Sequence, residues 1–166
     1  MDDRDRPFAE FVAARSPALL RTAYLLTGDA GRAEDLLQTA LTKTYLAWGR
    51  IRDPGAVETY VRRVLATSAV SSWRRRWHLE RPTDAVPDRM VPVRPDAAED
   101  HLLLWELVRQ LPTRQRAVLV LRYYEDMSES ETADVLGLSR GTVKSHTSRG
   151  LAALRGKLSD APVGRK

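Results

Sequence analysis

The side chains best suited to binding chemistry lie in two basic stretches, one in each half of the chain. Residues 138–158 include five Lys and Arg and no Asp or Glu. Residues 59–79 include five Arg, again without an acid, and Tyr60, Trp73 and Trp77 lie among them. Cations attract phosphates and exposed rings stack on unpaired bases, so both stretches are candidates for contact with nucleic acid.

Catalytic or metal-binding chemistry has no comparable signal. There is no paired nucleophile and base and no GxxxxGK phosphate loop, and the segment LTGDAG reads as a turn between helices. The chain has no Cys, and His78, His101 and His146 are scattered without ligand-like spacing. The sequence therefore predicts no metal site, no cofactor and no enzymatic activity.

A helix-turn-helix is predicted to position the second basic stretch. Ser128 followed by Glu131 has the spacing of a capping box. Ala133 lets two helices approach, Gly137 can take the left-handed turn conformation, and Val143 fills the angle between the helices.

Ser139 can cap the second of these helices, whose apolar residues recur at Val143, Leu151, Leu154 and Leu158. The opposite face carries short polar groups and cations: Thr142, Lys144, Ser145, Ser148 and Arg149. An ordinary amphipathic helix pair with a solvated basic face is the alternative. The two caps together with charge of one sign favour a helix that lies between rows of DNA phosphates.

The first basic stretch leaves two interpretations open when taken alone. Arg74, Arg75 and Arg76 could form a solvated helix end in which cations complement the helix dipole, with the aromatic residues in the core. They could instead hold single-stranded or locally melted DNA. A helix-turn-helix downstream favours the second interpretation.

The remaining sequence predicts an all-α protein of two small helical domains. Residues 8–26 read as helix with a break or restart at Ser16-Pro17, a second helix runs to about Trp48, and Asp53-Pro54 starts a third. Residues 82–97 hold four of the nine prolines and predict an extended linker between domains 1–81 and 98–160, with a tail at 161–166.

The net charge of +5 and the pI near 9.9 favour a polyanionic partner. The polar, acidic N-terminus and the lack of a long apolar run predict a cytoplasmic protein without membrane insertion.

Three segments in order resemble the extracytoplasmic-function sigma factors of bacteria, most of all the actinobacterial sigma-E subgroup. These segments are LLTGDAGRAEDLLQTALTKTYLAW, ETYVRRVLATSAVSSWRRRW and LPTRQRAVLVLRYYEDMSESETADVLGLSRGTVKSHTSRGLAALR. The resemblance covers nearly all of residues 8–158. It implies an alternative RNA polymerase sigma factor built from region 2 and region 4.

The resemblance implies three binding surfaces with core RNA polymerase and promoter DNA as partners. Core polymerase, through its β′ clamp helices, would contact Glu34, Asp35, Gln38 and Thr39, and the β flap is a further expected contact. The loop at residues 49–57 would take a flipped base of the −10 element, whose strand would be held by Arg62, Arg63, Thr67, Ser71, Trp73, Arg74, Arg75 and Arg76. The −35 element would be read by Arg140, Thr142, Lys144, Ser145, His146 and Arg149.

Two residues depart from the family pattern. Thr67 stands where Asn is usual, so one hydroxyl replaces a group that both donates and accepts. His146 stands where Arg is common, and it lacks the permanently charged guanidinium that can donate two hydrogen bonds side by side. An anti-sigma factor controls many such proteins, but no residue here identifies one.

Two other functions remain as alternatives. The segment GTVKSHTSRGLAAL also resembles the DNA-binding helix of LuxR-type regulators, although those usually carry an α/β receiver or a sensory domain upstream. A helical protein-interaction module with an incidental basic surface would show no salt-sensitive DNA affinity.

Overall fold

The computed structural model describes residues 3–79 and 99–160, with the side chains of 76–79 and 99–103 left out. Both described ranges are helical, each forms a compact unit, and neither contains a strand. The all-α, two-domain prediction is thus confirmed. The predicted linker at 82–97, both of its boundaries and the tail at 161–166 lie outside the described residues and stay predictions.

The first unit is a three-helix bundle. It contains α1 (Asp5–Thr27), α2 (Ala30–Ala47), a 3₁₀ turn (Trp48–Arg50) and α3 (Pro54–Leu79). Gly28 closes α1 with φ of 72° and donates its N–H to the Tyr24 carbonyl at 2.7 Å. Asp29 then caps α2 by accepting the Arg32 N–H at 2.8 Å. The predicted turn between the first two helices is therefore confirmed.

The predicted break at Ser16-Pro17 is wrong, because α1 runs without interruption through Pro17. Proline lacks an N–H and so removes the bond to the carbonyl four residues earlier, that of Ala13. Pro17 and Ala13 are both exposed, which leaves that carbonyl open to water. The next turns bury Leu19 and Ala23 in the bundle, and this packing keeps the helix intact.

Small residues let the three helices pack closely. Ala33 and Ala40 of α2 are fully buried, as are Val61 and Leu65 of α3. Tyr45, near the end of α2, is 45% exposed, and its hydroxyl donates to Asp5 at 2.8 Å. Its ring packs edge-on against Phe8, which also contacts Trp48, so an aromatic cluster covers this end of the bundle.

The second unit contains α4 (Glu99–Arg109), α5 (Thr113–Leu119), α6 (Glu129–Leu136) and α7 (Arg140–Asp160). A π-helical turn (Val120–Tyr124) extends α5, and Glu125 donates its N–H to the Val120 carbonyl at 3.0 Å. Val118 and Leu121 are buried; α5 packs against α7, and the π-helical turn packs against α6. This packing supports the helix-turn-helix that follows. In the described ranges, no helix has the length and apolar character needed to cross a bilayer.

Candidate nucleic-acid interface

The start of the helix-turn-helix is fixed by the predicted capping box. The Ser128 hydroxyl accepts the Glu131 N–H at 3.1 Å, and the Glu131 carboxylate accepts the Ser128 N–H at 2.8 Å. Two backbone groups that would otherwise lack partners are satisfied reciprocally. The residues that set the helix boundary thus lie within one turn of each other.

The turn and the interhelical angle also form as predicted. Gly137 is left-handed, with φ of 65°, and the next N–H, that of Leu138, bonds the Ala133 carbonyl at 3.0 Å. Ala133 and Val143 are both buried, and Val143 has no exposed surface. Ser139 accepts the Thr142 N–H at 3.1 Å, which confirms the cap of α7.

The buried face of α7 was only partly predicted. Val143 and Leu154 are buried as expected, but Leu158 is 44% exposed. Gly150 was missed. A β-carbon at this position would lie 2.9 Å from Leu119 Cδ1, so the glycine is what lets α7 approach α5 so closely. This contact orients the outward face of α7.

Four of the six residues predicted to read the −35 element are exposed on α7. These four are Arg140, Lys144, Ser145 and Arg149. The Lys144 ammonium lies 3.9 Å from a Glu129 carboxylate oxygen of α6, and both groups meet water. Such a pair is weak, so Lys144 can turn toward a phosphate or a base at small cost.

The other two residues of that set, Thr142 and His146, are half-buried at the edge of α7. The Thr142 hydroxyl lies 2.8 Å from the Ser139 hydroxyl within the cap. His146 Nδ1 is covered and has no hydrogen-bond partner among the described residues. Burial, and after it the cations Arg149 and Arg114, lower the pKa of His146 below its ordinary 6.5, so the ring is neutral at pH 7.

On α3, the predicted −10 residues divide between an exposed stripe and its flanks. The stripe contains Arg63, Thr67, Ser71 and Arg74, with Arg75 beside it. Arg62 is turned aside and pairs with Glu58, one helical turn earlier, at 2.7 Å. Trp73 is half-buried, and the side chain of Arg76 lies outside the described residues.

Thr67 is exposed, but its hydroxyl already has a partner. It donates to the Arg63 carbonyl at 2.9 Å, the usual bond of a threonine to its own helix. The oxygen retains acceptor capacity toward solvent. The hydroxyl at this position is therefore placed to accept a hydrogen bond from a ligand.

The four residues predicted to bind polymerase share one face of α2. Glu34 and Asp35, and Gln38 and Thr39 one turn later, are all exposed. Beneath them lies an open cleft between α2 and α3 with a volume of about 210 Å³. Its walls include Asp35 and Thr39 from this set, and Trp73 and Arg75 from the −10 set.

The cleft thus joins two surfaces that were predicted separately. It lies at the opposite end of α2 and α3 from the loop at residues 49–57. The lining residues that sequence reasoning missed include Arg32, Ser68 and Ser72. Ser68 could not have been found by local rules, since its partner, the Lys43 ammonium at 3.1 Å, lies on another helix.

Comparisons with known proteins agree with this organisation. Residues 11–79 match the model of sigma-70 region 2, and residues 101–154 match that of sigma-70 region 4. The chain is 44% identical to the RNA polymerase sigma-E factor of Streptomyces avermitilis over 151 residues, which is 91% of this chain and 84% of that protein. It is 32% identical to the ECF RNA polymerase sigma factor SigL of Mycobacterium tuberculosis, over 89% of this chain and 86% of that protein.

Solved structures share the fold. The sigma factor RpoE of Bartonella quintana, solved in complex with the anti-sigma factor NepR, has a TM-score of 0.66 and 22% identity, and covers 96% of this chain and 99% of that one. CnrH, solved in complex with the cytosolic domain of CnrY, has a TM-score of 0.57 and 24% identity, over 94% of this chain and 90% of that one.

Proposed function

Because the chain belongs to the sigma-70 family and is an alternative RNA polymerase sigma factor, we propose a division of labour among its helices. Helix α2 docks on core polymerase, α3 takes the −10 element, and α7 reads the −35 element. The match of residues 11–79 to region 2 goes against the LuxR-type alternative, since it assigns the N-terminal half to a sigma domain.

The charge pattern of the exposed faces is the observation that carries this proposal. The outward stripe of α3 from Arg63 to Arg75 contains no acid, and neither does α7 from Arg140 to Leu158. DNA presents a continuous row of phosphates, so a surface of one sign gains affinity along its length. The corresponding face of α2 differs, because it carries Glu34 and Asp35 and suits a protein partner.

On α3 we assign different roles to the stripe and to its flank. Arg63 and Arg74 project freely enough to contact the phosphates of an opened strand, whereas Thr67 and Ser71 between them can meet base edges. Trp73 is half-buried, so it offers one face for stacking. The loop at residues 49–57 remains the proposed receiver of a flipped base.

On α7 we assign the base contacts to the exposed residues near its N-terminus. A recognition helix generally enters the major groove with its first turns, and here these carry Arg140, Lys144 and Ser145. Arg149 lies more than one turn further along and suits a flanking contact.

We infer that the polymerase supplies the chemistry and that this protein supplies promoter choice and strand opening in the cytoplasm. An anti-sigma factor is a further proposed partner, because the sigma factor RpoE, which has a similar fold, was solved with the anti-sigma factor NepR. Affinity purification from the native cell should then recover a protein that competes with core polymerase for this chain.

Run-off transcription with purified core polymerase on genomic fragments tests the function directly. The protein should create start sites that core polymerase alone does not use. If no new start site appears, the proposal fails. The same assay identifies the promoters needed for every later experiment.

Variants then separate the three surfaces. The double change Arg74→Ala and Arg75→Ala should impair open-complex formation by at least about tenfold, with polymerase affinity unchanged. Arg21→Ala, an exposed change on α1, is the matched control. Equal loss of both activities would count against a strand-holding role.

For α7, Lys144→Ala should reduce protection of the −35 element, whereas Arg155→Ala on the same helix should not. Unchanged occupancy in the Lys144 variant would remove this residue from the reading set.

A further inference from the structure

We propose that Arg15 and Glu58 are positioning residues for Arg62, a member of the −10 set. Glu58 holds the Arg62 guanidinium beside the stripe that faces DNA, and Arg15 allows Glu58 to release it. When the opened strand arrives, Arg62 exchanges Glu58 for a phosphate, and Arg15 stays behind as the partner of the carboxylate. The inference rests on the proposed function, in which α3 takes the −10 element. Neither Arg15 nor Glu58 was among the predicted contacts.

The Glu58 carboxylate pairs with one cation of its own helix and with one of α1. Its Oε1 accepts from the Arg62 guanidinium at 2.7 Å, and its Oε2 lies 3.2 Å from a guanidinium nitrogen of Arg15. The two arginines thus use different oxygens and can be bound at the same time. The carboxylate is also the most covered of the three groups, because 28% of the Glu58 side chain is exposed, against 40% for Arg62 and 52% for Arg15.

Arg62 lies on the flank of the exposed stripe of α3. The stripe begins at the next residue, Arg63, and continues through Thr67, one turn later. Neighbouring residues of an α-helix are about 100° apart around its axis, so Arg62 and Arg63 project in different directions. The bond to Glu58 keeps the Arg62 guanidinium on the side of α1, where Arg15 meets the same carboxylate. Once released, the long side chain can extend along the flank toward a phosphate beside the stripe.

Arg15 lowers the cost of that release in two ways. A half-buried carboxylate that loses every cation is left poorly solvated, whereas Glu58 keeps the Arg15 guanidinium at 3.2 Å. The two guanidiniums also repel each other across the shared carboxylate, which weakens the hold of Glu58 on Arg62. Ion pairs that meet water change an equilibrium by about one and a half to fivefold. Without Arg15, a phosphate must therefore draw away an arginine that is held more firmly.

A simpler explanation, long-range charge, gives effects of the same sign. An acid near DNA repels phosphates and a nearby cation attracts them, so loss of Glu58 would raise affinity and loss of Arg15 would lower it through charge alone. The two explanations differ in their dependence on Arg62. Positioning acts only through this side chain, so its effects disappear once the Arg62 guanidinium is removed. Long-range charge acts on DNA directly, so its effects persist.

The test uses holoenzyme assembled from this full chain and core polymerase, with a promoter fragment found by run-off transcription and left unpaired across the −10 element. Fluorescence anisotropy measures the affinity for this fragment at several salt concentrations. Arg62→Gln should weaken binding and lower the slope of log affinity against log salt by about 0.7, as for one phosphate of a single strand. Glu58→Gln should raise the affinity by about two- to fivefold, and Arg15→Gln should lower it by about twofold.

Double variants isolate the positioning role. Arg15→Gln should have no effect in a chain that also carries Glu58→Gln, and Glu58→Gln should have no effect in a chain that carries Arg62→Gln. Arg15→Lys, which keeps the cation, should retain the wild-type affinity. Arg21→Gln, at an exposed cation elsewhere on α1, is the matched control and should leave the affinity unchanged. Urea unfolding of the same variants measures structural effects separately, since a structural role alone would not couple these residues in DNA binding.

An effect of Arg15→Gln that persists beside Glu58→Gln would overturn the proposal, because it would show charge acting directly on DNA. So would a gain from Glu58→Gln that survives in the Arg62→Gln chain, or an Arg62→Gln variant with unchanged affinity. Failure of the underlying function would look different, since wild-type holoenzyme would then show no promoter-specific binding at all.

Discussion

Gly150→Ala tests the contact on which the orientation of α7 depends. The new β-carbon would lie 2.9 Å from Leu119 Cδ1 and 3.2 Å from Leu119 Cγ. The first distance is shorter than real carbon contacts allow, so the Leu119 side chain would have to shift. Leu119 is buried, with 4% of its surface exposed, so it has little room to withdraw. Overpacking of this kind costs about 1–3 kcal/mol.

A second glycine on the same helix provides the matched control. Gly156 is exposed, and a β-carbon there would meet no atom within 4 Å. Alanine is favoured over glycine in a helix interior by up to about 1 kcal/mol, and both variants gain this term. Gly156→Ala should therefore stabilise the protein slightly. Gly150→Ala should be less stable than Gly156→Ala by about 1–3 kcal/mol, the cost of overpacking itself.

Urea unfolding of the intact chain, followed by hydrogen exchange in peptides of α5 and α7, measures this difference in the second unit alone. Exchange in α1 and α2 should be unchanged in both variants and serves as an internal reference. If Gly150→Ala stabilises α7 as much as Gly156→Ala does, then α5 and α7 are not in close contact, and the reasoning about the orientation of α7 fails.

Three other predictions concern caps, contacts and protons. Ser128→Ala removes the capping box and should lower the free energy of urea unfolding by about 1 kcal/mol. Ser130→Ala, on the exposed side of the same turn, should change it by less than half as much. Tyr45→Phe removes only the hydroxyl that binds Asp5, an exposed bond, so thermal unfolding should shift by no more than a few degrees, and a larger shift would mean that the bond is shielded from water. The pKa of His146 is lowered in the folded protein, so the unfolded chain binds this proton more tightly. The unfolding free energy should therefore decrease as the pH falls below 6.5, and in urea unfolding this decrease should be larger for wild type than for His146→Gln.

Features whose partners lie within one helical turn could be predicted from the sequence. The capping box joins Ser128 to Glu131, and the left-handed turn needs only Gly137. In each case the residue types that cause the local structure are the same residues that form it. Arg62 and Glu58 belong to this class as well: four residues apart, they form an ion pair that the spacing rule could have found.

Features fixed by distant partners could not be predicted. Pro17 breaks a local rule, and the helix survives because residues further along α1 pack into the bundle. The Tyr45 hydroxyl bonds Asp5, forty residues earlier. Leu119 meets Gly150 only because α5 packs against α7. The hydrophobic periodicity of the sequence does not indicate these contacts, because each one depends on how the helices pack against one another.

The hydrogen bond of Thr67 limits which bases of the −10 element the first unit can prefer. Asn, which is usual at this position in the family, could both donate to and accept from a base edge. The Thr67 hydroxyl donates its hydrogen to the Arg63 carbonyl. While that bond is kept, the hydroxyl can only accept a hydrogen bond from a base. Bases that present an amino group, such as the N6 of adenine or the N4 of cytosine, satisfy an acceptor. Thymine has no amino group and offers only one N3–H, between two carbonyl oxygens that would repel the Thr67 oxygen. A −10 position opposite this residue should therefore discriminate against thymine, and Thr67→Val, which keeps the shape and removes the acceptor, should erase that discrimination without changing polymerase affinity.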